Sequence, residues 1–163
     1  IGKYDLVEAV LEEFQAEFFF PGVFIQPGKP AVFGRIPCGA GAPARESASP
    51  AHVYFFGLPG NPVSTMVTFE LFARPVLEAL AGLTARKLAF LQARLKSEIT
   101  TKTGLKRFLP AILSGEFENT EAELVRWHGS GDVASMTRAN CYVVIPPDRD
   151  RIAAGESVAV LMR

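Results

Sequence analysis

Apolar positions recur with a helical period near the start of the chain and again after residue 62, and with a period of two through most of the second half. Within 5-DLVEAVLEEF-14, Leu6, Val7, Val10, Leu11 and Phe14 share one helical face, and Asp5 followed by Glu8 has the form of a capping box. The segments 23-VFIQ-26 and 30-PAVFGRI-36 predict short strands around the turn 27-PGK-29. The run 52-HVYFFGL-58 is almost continuously apolar, the pattern of a strand in a sheet covered on both faces. Helical periodicity then extends from Pro62 to about Leu80, opening with Val63, Met66, Val67, Glu70 and Leu71. Pro75 predicts a kink in this helix and Gly82 its C′ stop.

The texture changes beyond that glycine. Short alternating segments follow: 92-QARLKSEI-99, 107-RFLPAILS-114, 122-AELVRW-127, 141-CYVVIP-146 and 157-SVAVLMR-163. Turn residues separate them and no long helix intervenes, the signature of a small β-domain. A boundary near residues 82–88 divides an α/β segment, 1–84, from an all-β domain, 85–163. The stretch 38-CGAGAPARESASP-50 is small, polar and rich in Pro and Gly, as in an exposed loop.

Composition narrows the function classes. The chain has 163 residues, 48% hydrophobic and 21% charged, a globular profile. Lys+Arg and Asp+Glu are both 17, so no bulk attraction to nucleic acid or to an anionic membrane is indicated and any anion site must be local. No apolar run reaches the roughly 18 residues of a membrane helix. Cys38 and Cys141 have no metal-ligand spacing and suggest a reducing, cytoplasmic compartment. Of the two, Cys38 in the loop is the exposed thiol expected. His52, Trp127 and His128 read as structural, and 18-FFF-20 as core or dimer contact, since no basic residues interleave with it.

The stretch 57-GLPGNPVS-64 carries the chemistry. Pro62 suits the first helical position and Asn61 is a good N-cap, while Gly57 and Gly60 permit close backbone approach. The free N–H groups of such a helix start favour an anion, and Ser64 adds a hydroxyl. The same residues also make a serviceable strand–helix connection with no ligand. Upstream, 26-QPGKPAVFGR-35 places Lys29 on a tight turn, followed by Arg35. With an anion-ready helix start, Lys29 becomes a candidate phosphate or oxyanion clamp. In 129-GSGDVASMTRAN-140, Gly129 and Gly131 flank Ser130 ahead of a short helical turn with Arg138 and Asn140.

Taken in order, 27-PGKPAVFG-34, 57-GLPGNPVS-64 and 135-SMTRAN-140, with Tyr4–Asp5 before them and 142-YVVIP-146 and 154-AGESVAV-160 after, resemble the C-terminal half of the molybdopterin molybdenumtransferases, the MoeA family that includes the gephyrin E-domain. The resemblance covers nearly the whole chain. It implies the C-terminal part of a molybdopterin-binding α/β domain, like that of molybdopterin adenylyltransferases, followed by a small all-β domain. It also implies insertion of molybdate into adenylylated molybdopterin, with Mg²⁺ and release of AMP. Family roles carry over to Lys29, Ser64 and Asp5 as catalytic residues, with Asp5 also near the metal; a plain N-cap is the alternative for Asp5. The oxyanion and molybdopterin site would comprise Gln26, Pro27, Gly28 and Lys29, then Gly57, Pro59, Gly60, Asn61, Pro62 and Ser64, and finally Arg107, Ser130 and Arg138. A tetrahedral dianion requires converging N–H and O–H donors and cationic charge, which these residue types supply.

Two positions depart from the family pattern. Gln26 stands where many relatives have a second lysine, and Pro110 is in closest register with a family arginine, so Arg107 is the replacement expected. The resemblance further implies a homodimer with the site between protomers, further domains ahead of Ile1, and no turnover by this piece alone. The adenylyltransferase is a candidate partner, and neither nucleic acid nor membrane is. Competing readings are an adenylyltransferase or nicotinamide-nucleotide amidase of the same α/β fold, against which the RAN segment argues, and a gephyrin-like scaffold that binds receptor peptides.

Overall fold

A computed structural model describes residues 7–37, 52–84, 87–126 and 132–163. Asp5, Cys38, Trp127, His128 and Ser130 lie outside the described residues. The chain forms two compact units, one from residues 1–23 and 30–58, the other from residues 24–29 and 59–163.

In the first unit, α1 (Val7–Glu13) precedes an antiparallel sheet of β1 (Glu17–Phe20), β3 (Val32–Pro37) and β4 (His52–Gly57), with β3 in the centre. The register aligns Glu17, Arg35 and Tyr54 across the three strands, and Phe33 with Phe56. One face is therefore aromatic. Phe33 stacks on Phe56 at 4.4 Å between ring centroids and also meets Phe19, Phe20 and Tyr54. Cross-strand aromatic pairs of this kind hold a sheet beyond their area burial. Gly34 is required by close approach: a Cβ there would lie 2.5 Å from the Glu17 carbonyl oxygen and 2.7 Å from the Phe55 ring.

One expectation is corrected here. The strand read at residues 52–58 exists, but Val53 is 49% and Tyr54 57% exposed, so β4 is not covered on both faces. A sheet face is buried only under a second layer, and this unit contributes a single seven-residue helix among the described residues. The strands flanking the PGK turn are not partners of each other. β3 joins the aromatic sheet, whereas β2 (Ile25–Gln26) pairs in parallel with β7 (Lys106–Ser114) in the second unit.

The second unit is dominated by a closed barrel. β5 (Phe90–Leu95), β7 (Lys106–Ser114), β8 (Glu121–Leu124), β9 (Cys141–Ile145) and β11 (Ser157–Met162) pair in the cyclic order β7-β8-β5-β11-β9, and β9 returns to β7. Closure removes free edges. Inward positions alternate as the pleat requires: Leu109, Ala111 and Leu113 on β7, Cys141, Val143 and Ile145 on β9, Ala93 and Leu95 on β5. Small alanines at 93, 111 and 122 suit the narrow interior. The two-stranded pair β6 (Ile99–Thr100) and β10 (Arg151–Ile152) adds Ile99 and Ile152 to this core. Pro110 sits where β7 changes partner: pairing with β9 runs through residues 107–111 and pairing with β8 begins at Ala111. A residue without an N–H is tolerated at such a switch.

The helical run begins as α2 (Pro62–Thr68), widens into a π segment (Phe69–Ala73) and continues as α3 (Arg74–Leu80). The kink expected at Pro75 takes this form. Pro75 lacks an N–H and its ring crowds the carbonyl four residues back, and the wider turn accommodates both, with the Arg74 N–H reaching the Phe69 carbonyl. Gly82, at φ +73°, ends the run as expected. Its N–H donates to the Ala79 carbonyl and that of Leu83 to Glu78, the paired bonds of a Schellman motif.

Candidate functional site

The start of α2 is built by its own side chains. Asn61 is extended, and its Oδ1 accepts from the Ser64 N–H at 3.4 Å. The Ser64 hydroxyl lies at the same distance from Asn61 Oδ1. Pro62 occupies the first turn, where its missing N–H costs nothing. Thr65 turns its hydroxyl back toward the Asn61 carbonyl at 2.9 Å and toward Pro59. Val63 and Val67 are wholly buried and anchor the helix, and Ser64 is buried to 8% exposure.

The PGK turn lies against this helix. Gly28 adopts φ +121°, a conformation side chains rarely tolerate, and a Cβ on it would lie 2.5 Å from Thr68 Cγ2 and 3.1 Å from Ile25 Cδ1. Thr68 is four residues beyond Ser64 and shares its face, and its hydroxyl donates to the Ser64 carbonyl at 2.8 Å. Residue types at i and i+4 signal that face, yet Thr68 was not among the residues read as functional. Pro27 and Gly28 are buried, whereas Gln26 and Lys29 are exposed.

Gln26 stands beside Arg107 in the parallel β2–β7 ladder. The Arg107 side chain is buried, and its Nε and Nη2 donate to the Lys102 carbonyl at 3.1 and 2.8 Å. Two of its five donors are thus committed to holding the turn before β7. Pro110 is also fully buried, opposite Tyr142. Arg107 shares its parity with inward-facing Leu109 and Pro110 does not, so the two project to opposite sides of β7.

Helix α4 (Val133–Met136) contacts α2. Asp132 caps it, accepting from the Ser135 N–H at 2.9 Å and approaching the Ser135 hydroxyl at 2.5 Å. Arg138 Nη2 donates to that hydroxyl at 3.2 Å, so Arg138 belongs to the capping network of α4. A Cβ on Gly60 would meet nothing within 4 Å, and one on Gly57, at the end of β4 in the first unit, would lie 2.5 Å from Val32 Cγ2. The structure thus joins residues 26–29 to the Ser64–Thr68 face, and Arg107 to Gln26. Asp5 and Ser130, the expected metal and oxyanion ligands, fall outside the described residues.

Of the cavities of about 340, 230 and 190 Å³ none is lined by Lys29 or Ser64, although the smallest has Thr65 and Met66 of α2 in its wall. The largest, on the barrel, has apolar walls from Val144, Pro146, Ile152 and Val158, with Lys106 and Glu156 also lining it.

Two family models match the chain: a probable molybdopterin binding domain over residues 1–79 and the MoeA C-terminal region (domain IV) over residues 92–162. Among curated relatives, the molybdopterin molybdenumtransferase of Haemophilus influenzae is 28% identical over 98% of this chain and 36% of its own length. The molybdenum cofactor synthesis protein cinnamon of Drosophila melanogaster is 44% identical over 50% of this chain and 11% of its own. The solved structure of the molybdopterin biosynthesis MoeA protein of Pyrococcus horikoshii superposes with a TM-score of 0.70 and 32% identity, covering 97% of this chain and 34% of that one. The chain thus spans about a third of the length of full-coverage relatives.

Proposed function

The chain belongs to the molybdopterin molybdenumtransferase (MoeA) family, and from that premise we propose that it carries part of a site where molybdate is inserted into adenylylated molybdopterin with release of AMP. The observation that supports this most is the seating of Gly28 on Thr68, which joins the cationic turn to the helix bearing Ser64. Lys29 supplies positive charge and Ser64 a hydroxyl; at the start of α2 Pro62 has no N–H and that of Ser64 is held by Asn61, which leaves Val63 as the backbone donor. The dianion is held while negative charge redistributes as the phosphoanhydride opens, so catalysis is chiefly positioning and charge neutralisation. Gln26 offers a neutral donor in place of a second cation, and Arg107 and Arg138 are the further cations this reading assigns to the site.

The magnesium ion expected near Asp5 falls outside the described residues, and among those described no three His, Cys, Asp or Glu side chains come together to hold a metal. The steps assigned here are therefore those of the chain's own donors. We assign the division into residues 1–84 and 85–163, a homodimer with the site between protomers and the adenylyltransferase as a partner to the same reading. A cytoplasmic location belongs to it too; among the described residues no helix is long and apolar enough to cross a membrane.

Calorimetric titration with sodium molybdate tests the reading. Affinity is expected to fall about tenfold in Lys29→Ala, the scale of one charge-assisted hydrogen bond, and less in Ser64→Ala. Equal affinity in wild type and Lys29→Ala would sink it. A second reading, a peptide-binding scaffold, is favoured by the apolar-walled cavity of about 340 Å³ on the barrel. Capture of an apolar peptide that is lost in Ile152→Asp, with no molybdate heat, would support that reading instead.

A further inference from the structure

We propose that Thr68 determines which oxyanion the site accepts, by fixing how closely the PGK turn approaches α2. The inference deepens the oxyanion reading above and rests on it. The turn cannot move inward, because the space a Cβ on Gly28 would occupy is already within 2.5 Å of Thr68 Cγ2 and 3.1 Å of Ile25 Cδ1. Thr68 in turn cannot yield. It is wholly buried, and its hydroxyl is bonded to the Ser64 carbonyl at 2.8 Å and lies 3.2 Å from that of Thr65. A β-branched side chain anchored in this way has one orientation available, and it aims the methyl at the turn.

The consequence is a fixed separation. Ser64 and Thr68 ride on one helical face, Gly28 presses on the Thr68 methyl, and Lys29 follows Gly28 in the chain. The methyl therefore acts as a spacer between the element carrying the ammonium and the element carrying the hydroxyl. Molybdate and sulfate are tetrahedral dianions of equal charge, and they differ in the length of the bonds from the central atom to oxygen. Charge cannot separate them, whereas a preorganised gap can. With the methyl removed, the turn settles toward the helix and the gap narrows, to the disadvantage of the larger ion.

The test is a pair of titrations, with sodium molybdate and with sodium sulfate, on the wild-type chain, Thr68→Ser, Thr68→Val and Ile25→Val, each checked by circular dichroism. Thr68→Ser keeps the hydroxyl and loses the methyl. The molybdate-to-sulfate affinity ratio is expected to fall about tenfold, the scale of one missing carbon in a fitted pocket. Thr68→Val loses the hydroxyl and keeps a methyl toward the turn, so its ratio should stay near wild type even if its stability drops. Ile25→Val trims the other wall and should lower the ratio to a smaller extent; it carries the test should Thr68→Ser fail to fold. A purely structural role for Thr68 would weaken both ions equally. An unchanged ratio in folded Thr68→Ser and Ile25→Val overturns the spacer and leaves the oxyanion site standing. Wild-type protein that binds neither ion overturns both.

Discussion

The barrel and the aromatic sheet solve the same problem in different ways. Five strands close on themselves in the barrel, so each inward side chain is buried by its own domain; Cys141, Val143, Ile145 and Val160 have no exposed surface. The three-stranded sheet has two edges and an aromatic face on which Phe19 remains 48% and Tyr54 57% exposed. Both are rich in apolar residues. What separates them is closure, which makes burial a property of the domain alone, whereas an open sheet depends on whatever layer covers it.

The largest expected effect probes that difference directly. Leu95→Ala removes a side chain with 1% exposure from the barrel core, and should cost roughly 2–5 kcal/mol of unfolding free energy. Phe19→Ala deletes more atoms from the open sheet. Its ring meets Phe33 at 5.1 Å and Tyr54 at 6.2 Å, and Arg35 lies 5.7 Å over it. Its loss should nevertheless be only about 1 kcal/mol, the scale of an aromatic pair. Urea unfolding followed by circular dichroism checks both, and equal losses would erase the contrast.

A second substitution sharpens it from the other side, because the open sheet has one place as tight as any in the barrel. Gly34→Ala puts a Cβ against the Glu17 carbonyl and the Phe55 ring. The carbonyl belongs to paired backbone and cannot step aside without opening the β1–β3 ladder. The expected loss is about 1–3 kcal/mol, as for overpacking, with faster amide exchange in β1 than in the barrel strands. Unaltered exchange in β1 would mean that the sheet yields more freely than its contacts imply.

Much of this contrast is written locally, and much is not. The barrel strands are legible because period-two patterns in 92–99, 107–114, 141–146 and 157–163 each carry their own inward set. Asn61, Pro62 and Gly82 announce the ends of the long helix through their own backbone chemistry. β1 was missed because EFFF has no alternation and its strand identity comes from Arg35 and Gly34 many residues away. β2 was legible as a strand within 23–26, but its partner β7, some eighty residues further on, was not, and neither was the β6–β10 pair. Pairing partners are long-range facts that short windows do not contain. In the candidate site, the cationic turn and the helix start were legible as separate pieces. Their junction was not, since nothing in the turn names Thr68 as its neighbour. Arg107 shows the converse: its parity with Leu109 was available, but the Lys102 carbonyl that holds it became visible only in the fold.

An alkaline titration separates the regions next. Burial is the main cause that lifts the Cys141 thiol to about 11 and the Tyr142 hydroxyl to about 12; Glu70 adds to the latter and Arg163 opposes it. Both groups are neutral in fold and unfolded chain at pH 8. Between their ordinary values of 9.0 and 10.0 and these raised values, the unfolded chain loses protons that the fold retains. Stability is therefore present below about pH 9 and lost as pH climbs toward 12. Tyr142→Phe should flatten the upper part of that decline, and a slope unchanged by it would assign the loss to other groups. Within the same experiment, the Cys141 thiol should resist alkylation in native protein at pH 8, being buried and protonated.

The smallest effect lies on the outside of the barrel, and its smallness is the point. Lys96 Nζ and Glu123 Oε2 meet at 2.8 Å, both side chains about half exposed. The hydrogen bond that Lys96 donates to Glu123, then the charge of Glu123, raises the Lys96 ammonium above its ordinary value, so this contribution is present at neutral pH and fades only in strong alkali. Water and salt screen such a pair, and ordering two long side chains offsets what attraction survives. Lys96→Gln should leave the unfolding midpoint unresolved from wild type, in low salt and at about 1 M salt alike. A clear drop confined to low salt would mean that surface charge, and not closure with a filled interior, carries a measurable share of the barrel's advantage over the open sheet.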